Sequence, residues 1–397
     1  MKTHYDVLIA GGGPAGLSAA YTAASAGLQV ALFERSKEIG YPIHTSGGSW
    51  IHELRALGVP DRYMHPIRTG RFIAPAAEAE FSYEEPPSCI LDVRGLYQYL
   101  AVLAAQAGAA IFPGCQVEAA LCTNGRPQGL RVRARGDFFA PLLIDASGIA
   151  GVIAKQLGLR GEFARYGVGA EADVVAPQWP QDTIAFLFGS VAVPAGYGWI
   201  FPHGENRVRV GIGVIRPDGS CEPRSALMNL LTTAHARFNC EARGIIELHS
   251  GSIPSVAPMA RASSHGVLVV GDAAALISTL LGEGIRFAIA LGRWAGEVAA
   301  QAHHAGRFDA DFLVRYDKGW RTRYGRMFSW AQKINRRIAT YDDRQWNEKI
   351  KMLSELPARA IPPLLQGEWA NRALLNAVWR RRKTLGHTLL KSVASWS

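Results

Sequence analysis

DVLIAGGGPAGLSAAYTAASAGLQVALFER, residues 6–35, contains a complete dinucleotide-binding unit. A short apolar strand over 7–10 runs into Gly11-Gly12-Gly13-Pro14-Ala15-Gly16, an Ala-rich helix follows to residue 26, and a second strand over 29–33 ends on Glu34. Gly11 allows a sharp turn out of the strand, Gly13 leaves room for a pyrophosphate, and Gly16 lets the helix approach the sheet. The phosphates then lie on the helix N-terminus. Glu34 stands 18 residues past Gly16, where an acid can accept hydrogen bonds from the adenosine ribose hydroxyls. A lone GxGxxG is a weak signal; strand, glycines, helix, strand and acid in this order are a strong one. The unit does not distinguish FAD from NAD.

Around this unit, 397 residues with 48% apolar and 19% charged positions can bury a large core and divide into two or three structural parts. The first strand begins within a few residues of Met1, which leaves no room for a secretory signal. The five cysteines, Cys89, Cys115, Cys122, Cys221 and Cys240, form no CxxC pair, which argues against a disulfide framework or a zinc site. A reducing, cytoplasmic setting and no metal are expected. The net charge of +10 is unevenly placed: residues 301–397 carry 19 basic against 8 acidic side chains, a surplus of 11, and the first 300 residues carry a net −1. No nucleic-acid-binding motif accompanies this charge.

Along the chain, a glycine- and proline-bearing loop over 38–50 returns toward the nucleotide site, and residues 51–90 leave it. Arg94 precedes a helix with Leu96, Tyr99, Leu100 and Leu103 on one face. Segments 116–121, 129–135 and 138–144 read as a small β meander, the last ending on Asp145-Ala146-Ser147-Gly148. Residues 165–258 read as short antiparallel strands forming a separate sheet, the candidate substrate domain. Residues 266–300 read as a buried strand, a loop and a small-residue helix beginning near Gly284. The remainder is helical by pattern, broken by Pro357, Pro362 and Pro363.

GGGPAG at 11–16, Arg94, DASG at 145–148 and GDAA at 271–274 resemble, in order and spacing, the flavin-dependent oxidoreductases of the aromatic-hydroxylase superfamily. The stretch PAGYGWIFP at 194–202 matches the PxxYxWxFP pattern of the geranylgeranyl reductase family, and Gly211-Ile212-Gly213 follows as in its archaeal and bacterial branch. This resemblance implies an α/β protein: a Rossmann-type FAD-binding domain (1–60, 90–164 and 259–302), an antiparallel β-sheet substrate domain (61–89 and 165–258), and a helical, basic C-terminal region (303–397). It implies FAD contacts from Gly11, Gly13, Ala15, Gly16, Glu34, Arg35, Thr45, Ser46, Gly48, Arg94, Val117, Asp272, Gly284 and Ile285. Asp272 would meet the ribityl chain, and the helix start at Gly284 and Ile285 would face the flavin ring. Free N–H groups there would stabilise the negative charge of reduced flavin.

The family reduces C=C bonds of polyprenyl chains in lipids, quinones or pigment precursors, with electrons from NADPH or a ferredoxin-type carrier. Tyr197, Trp199 and Phe201 alternate, so on a strand they share one face and form an aromatic wall suited to an isoprenoid. The proton would come from Tyr197, a bound water or a further residue, and His44 is a second candidate donor. Where the archaeal relatives carry a cysteine, this chain reads His44-Thr45-Ser46-Gly47-Gly48, which leaves substrate choice open. A flavin monooxygenase or a lycopene-cyclase-like enzyme without net redox turnover are the alternatives; halogenation is disfavoured because Lys2, Lys37 and Lys155 are the only lysines before residue 300. In the basic tail, Leu374, Leu375, Val378 and Trp379, then Leu385, Leu389, Leu390, Val393 and Trp396, recur at helical spacing around Arg380-Arg381-Arg382-Lys383, a pattern for peripheral contact with an anionic membrane.

Overall fold

A computed structural model describes residues 2–368. Val7–Ala10, buried along its whole length, is the central strand of a six-stranded sheet. It pairs in parallel with Val30–Phe33 on one side and Leu142–Asp145 on the other. Val267–Val269 and Ala110–Phe112 extend the sheet in parallel, and Ser263–Ser264 closes one edge antiparallel. Such short, continuously apolar strands are those of a sheet covered on both faces.

Pro14–Ser25 covers one face and packs against the long helix Ile285–Ala305. Gly292 and Gly296 of the long helix lie against the backbone of Ala15 and Ala19, so close that a side chain at either would collide with a carbonyl oxygen. The GxxxG spacing thus sets the distance between the two helices that carry the glycine turn and the Gly284 helix start.

The meander is Val117–Thr123, Arg126–Val132 and Gly136–Phe139. The segment read from sequence as one strand over 138–144 is two. Pro141 cannot donate to a ladder, so Phe138 and Phe139 stay in the meander, while the buried Leu142–Asp145 joins the parallel sheet.

The second large sheet has seven strands in the order Ile245–Pro254, Tyr166–Val175, Arg207–Arg216, Gly196–Gly204, Thr183–Leu187, Thr69–Ala74 and Ala77–Ser82. Several strands run nine or ten residues, longer than expected, and Thr183–Leu187 pairs in parallel with Thr69–Ala74. The strand reading of 165–258 also omitted the helix Pro223–Phe238, which packs on one face of this sheet through Leu227, Leu230, Ala234 and Phe238.

Between the two sheets, Gly48–Trp50, Ser88–Leu91 and Met64–Ile67 form a small antiparallel sheet. Of the C-terminal helices Ala310–Ile338, Asp343–Ser354 and Ile361–Gln366, the first packs against the long helix Ile285–Ala305 and the second on the edge strands Thr69–Ala74 and Ala77–Ser82 of the seven-stranded sheet. Pro357 stands between helices as expected, but Pro362 and Pro363 occupy the first turn of the last one, where a missing N–H costs nothing. The membrane-binding pattern of 374–396 lies outside the described residues. Among the described residues no helix is long and apolar enough to cross a membrane.

Candidate active site

The glycine turn has the geometry that its sequence requires. Gly11 adopts φ +109°, and a side chain there would strike the Ala146 carbonyl; at Gly16 it would strike the carbonyl of Gly11. Gly13 differs, since beyond its chain neighbours no protein atom lies within 4 Å of where its Cβ would stand. The helix Pro14–Ser25 begins with no side-chain cap, so its first N–H groups face that open space. Glu34, at the end of Val30–Phe33, accepts hydrogen bonds at 2.7 Å from Gly12 N–H and at 2.7 Å from Ser36 N–H. Its carboxylate therefore stands beside the turn. Ala15 and Val117 are buried, Arg35 is exposed, and Arg94 pairs with Glu38 at 2.5 Å. Asp145 is buried and occupied locally: it accepts from Ser147 N–H at 3.1 Å and Ala154 N–H at 2.7 Å, which anchors the DASG turn.

Asp272 lies where the strand Val267–Val269 gives way to the long helix. Among the described residues its carboxylate has no hydrogen-bond partner, and burial pushes its pKa up to about 6. The helix Ile285–Ala305 starts at Gly284 without a side-chain cap. A half-buried carboxylate without a donor and two uncapped helix starts are what a molecule with ribityl hydroxyls, a pyrophosphate and an anionic ring would satisfy. The residues present fit FAD.

Beyond this row of backbone groups is a cavity of about 400 Å3. Of the residues singled out from sequence, His44, Thr45, Ser46, Gly47, Gly48, Tyr197, Trp199, Phe201, Gly284 and Ile285 line it; the glycine turn, Glu34, Arg35, Arg94, Val117 and Asp272 do not. Trp330, Ile338 and Trp346 of the C-terminal helices close it opposite the sheet. The three alternating aromatics share one face, with ring centroids 5.6 Å apart for Tyr197–Trp199 and 6.3 Å for Trp199–Phe201.

A single cross-strand row explains the wall. His249, Glu171, Gly211, Trp199, Phe186 and Phe72 face one another in register over six neighbouring strands. The Trp199 indole lies flat over Gly211, and its Nε1 donates to Glu171 Oε2 at 2.7 Å, reaching past the intervening strand. The GxG at 211–213 is thus the bed of an aromatic ring.

Tyr197 Oη donates to the Leu281 carbonyl at 2.7 Å, and burial raises its pKa well above the ordinary phenol value. Its proton is committed to the turn over 278–283, which is closed by reciprocal backbone hydrogen bonds between Ser278 and Glu283 at 2.9 and 3.1 Å. Asn335 of the C-terminal helix donates to Thr279 O at 2.7 Å and ties that turn down. His44 Nδ1 is engaged with the Ser250 carbonyl at 2.8 Å.

The charged residues of the cavity wall were not singled out from sequence. Glu283 accepts from Ser49, from Trp50 Nε1 and from Arg286 Nε, the last at 2.6 Å, and Arg286 also binds Glu53. Burial raises the Glu283 pKa, against the pull of Arg286. Glu171 is likewise buried; burial alone would raise its pKa, but His249, the Arg209 charge, Ser46 and Trp199 together bring it below the usual carboxylate value. Arg209 further donates to the Ser46 carbonyl at 2.7 Å and holds the 45–48 loop on the sheet.

An uncapped, hydroxyl-seeking nucleotide groove opening onto an apolar cavity defines a flavin-dependent oxidoreductase, and residues 6–185 match the family described as FAD dependent oxidoreductase. Residues 169–253 match the geranylgeranyl reductase catalytic domain. Digeranylgeranylglycerophospholipid reductase 2 of Methanothermobacter thermautotrophicus is 34% identical over 361 residues, 88% of this chain and 91% of its own. The enzyme of the same name from Methanopyrus kandleri is 30% identical over 96% of this chain and 98% of its own. The crystal structure of a geranylgeranyl bacteriochlorophyll reductase-like protein from Thermoplasma acidophilum superposes with a TM-score of 0.84 at 25% identity, covering 96% of this chain and all of that one. The chain belongs to the geranylgeranyl reductase family of FAD-dependent oxidoreductases.

Proposed function

We propose that this protein saturates C=C bonds in the polyprenyl chains of a digeranylgeranylglycerophospholipid-type lipid. The observation that carries this reading is the cavity itself: an apolar space lined by Tyr197, Trp199 and Phe201 and by Gly284 and Ile285 at the start of the long helix. Bound FAD, when reduced, supplies a hydride; NADPH or a ferredoxin-type carrier supplies its electrons.

The chain's own residues do the rest. Asp272 and the helix starts at Gly13 and Gly284 hold the nucleotide. The 45–48 loop, pinned by Arg209, faces the cavity. The aromatic faces exclude water and favour positive charge developing on an alkene carbon, which an isolated double bond needs in order to accept hydride. Tyr197, through Leu281, holds the turn that presents Gly284. The basic segment 374–396 brings the protein to the membrane that holds its substrate.

Mixing anaerobically reduced holoenzyme with digeranylgeranyl lipid tests the proposal. Flavin should reoxidise and the product should gain two hydrogens per bond. A product that gains oxygen in air, or one of unchanged mass, would instead identify a monooxygenase or an isomerising cyclase.

A further inference from the structure

Alkene reduction consumes a proton as well as a hydride, and Tyr197 has its hydroxyl committed elsewhere. The seven-stranded sheet contains another source. Glu171 and His249 face each other across neighbouring strands, with Glu171 Oε1 3.0 Å from His249 Nδ1. His249 Nε2 is 2.8 Å from Glu247 Oε2. Glu171 and His249 are nearly sealed, with side chains 5% and 6% exposed, whereas the Glu247 side chain is 39% exposed. At the inner end Glu171 and His249 both line the cavity. A continuous line of exchangeable groups therefore runs from solvent to the cavity wall.

We propose that Glu247 and His249 carry one proton per turnover from solvent to Glu171, which hands it to the substrate at the cavity wall. This rests on the reductase reading above. As hydride forms one new C–H bond, the π bond breaks and the other carbon takes a proton from the Glu171 carboxyl, which has received it from Nδ1 of His249. Glu171 thereby returns to the carboxylate, and His249 is reprotonated from the Glu247 side. The substrate gains one hydride and one proton, and the relay returns to its starting charge.

The surroundings keep the relay loaded. Burial opposes a charged His249, but its hydrogen bonds to Glu171 and Glu247 outweigh that and raise its pKa above the ordinary imidazole value, with Arg209 opposing. Arg209 reaches Glu171 from the strand Arg207–Arg216, and Asp173, opposite Glu247 in the register, is occupied by Arg207 and His203. His44, on the Ser250 carbonyl, is the remaining titratable group from the facing loop. A general acid supplied in this way contributes typically about 10²–10⁴-fold.

Glu247→Gln tests the relay, because Glu247 is half-exposed at the outer end and lines no part of the cavity. Single-turnover reoxidation of prereduced holoenzyme by digeranylgeranyl lipid would be followed from pH 5 to 9, in H2O and D2O, for wild type, Glu247→Gln and His249→Gln. The wild-type rate should fall as pH rises through the raised His249 pKa. Glu247→Gln should lose at least about 10-fold, well within the general-acid range, show a larger solvent isotope effect, and recover rate with added imidazole buffer; a purely structural role would give no such rescue. In parallel, the His249 imidazole followed by 15N NMR should titrate above its ordinary midpoint and shift down in Glu247→Gln. Wild-type turnover with unaltered variant rates, pH profile and His249 titration would overturn the relay alone. A wild type that no polyprenyl lipid reoxidises would overturn the reductase reading instead.

Discussion

Adding one methyl group at Gly211 tests the account of the aromatic wall. A Cβ there would lie 2.2 Å from Cε2 and Cζ2 of Trp199 and 2.5 Å from its Nε1. Ordinary contact begins at 3.4 Å, so the indole must withdraw by the difference, 1.2 Å. Withdrawn by that much, Nε1 leaves its 2.7 Å hydrogen bond to Glu171. The loss of a hydrogen bond to a buried carboxylate costs about 1.5–3 kcal/mol, and forcing a methyl into a packed site about 1–3 kcal/mol. Gly211→Ala should therefore destabilise the protein by about 2.5–6 kcal/mol, read as a shift in the denaturant midpoint. The effect belongs to the indole, so in a Trp199→Phe background the same substitution should cost under about 1 kcal/mol, a coupling that a double-mutant cycle measures directly. Gly213→Ala, whose Cβ would stand 3.3 Å from Trp199, is the mild control. A Gly211→Ala protein of wild-type stability, or an equal loss of stability in the Trp199→Phe background, would refute the reasoning.

Asp272→Ala should weaken FAD binding by about 10- to 100-fold, the worth of a hydrogen bond to a charged acceptor. Because ligand hydroxyls favour the ionised form of a carboxyl whose pKa is raised to about 6, wild-type affinity should strengthen as pH rises through that value; a flat fluorescence titration from pH 5 to 8 would count against the assignment. Tyr197→Phe removes only the hydrogen bond to Leu281 and should cost about 1 kcal/mol of stability, while single-turnover chemistry survives; abolished chemistry with retained FAD would restore Tyr197 as the proton donor. Deleting residues 380–397 should reduce co-sedimentation with anionic liposomes, and unchanged binding would remove the tail from the membrane contact.

The nucleotide half was readable because its determinants are local. Strand, glycine turn, helix and acid follow one another within residues 6–35, and hydrogen bonding from Gly12 to Glu34 joins the two ends of that same stretch. The break at Pro141 and the helix Pro223–Phe238 also had local signals, in a missing donor and in the spacing of Leu227, Leu230, Ala234 and Phe238. Glu171 and Asp173 did not: alternating with the buried Ala170, Ala172 and Val174, they read as the solvent face of a half-buried strand. That face is instead covered, with the 44–50 loop and its Ser46 against it.

By itself, then, the amino-acid order determined the dinucleotide unit, the helix start at Gly284 and the alternation of Tyr197, Trp199 and Phe201, since each depends on residues a few positions apart. Only the tertiary structure decided that Trp199 lies over Gly211 to reach Glu171, and that Glu171 meets His249, a residue 78 positions away. Those meetings depend on the register of long strands paired across the whole chain, where a slip of one residue would turn each side chain to the opposite face.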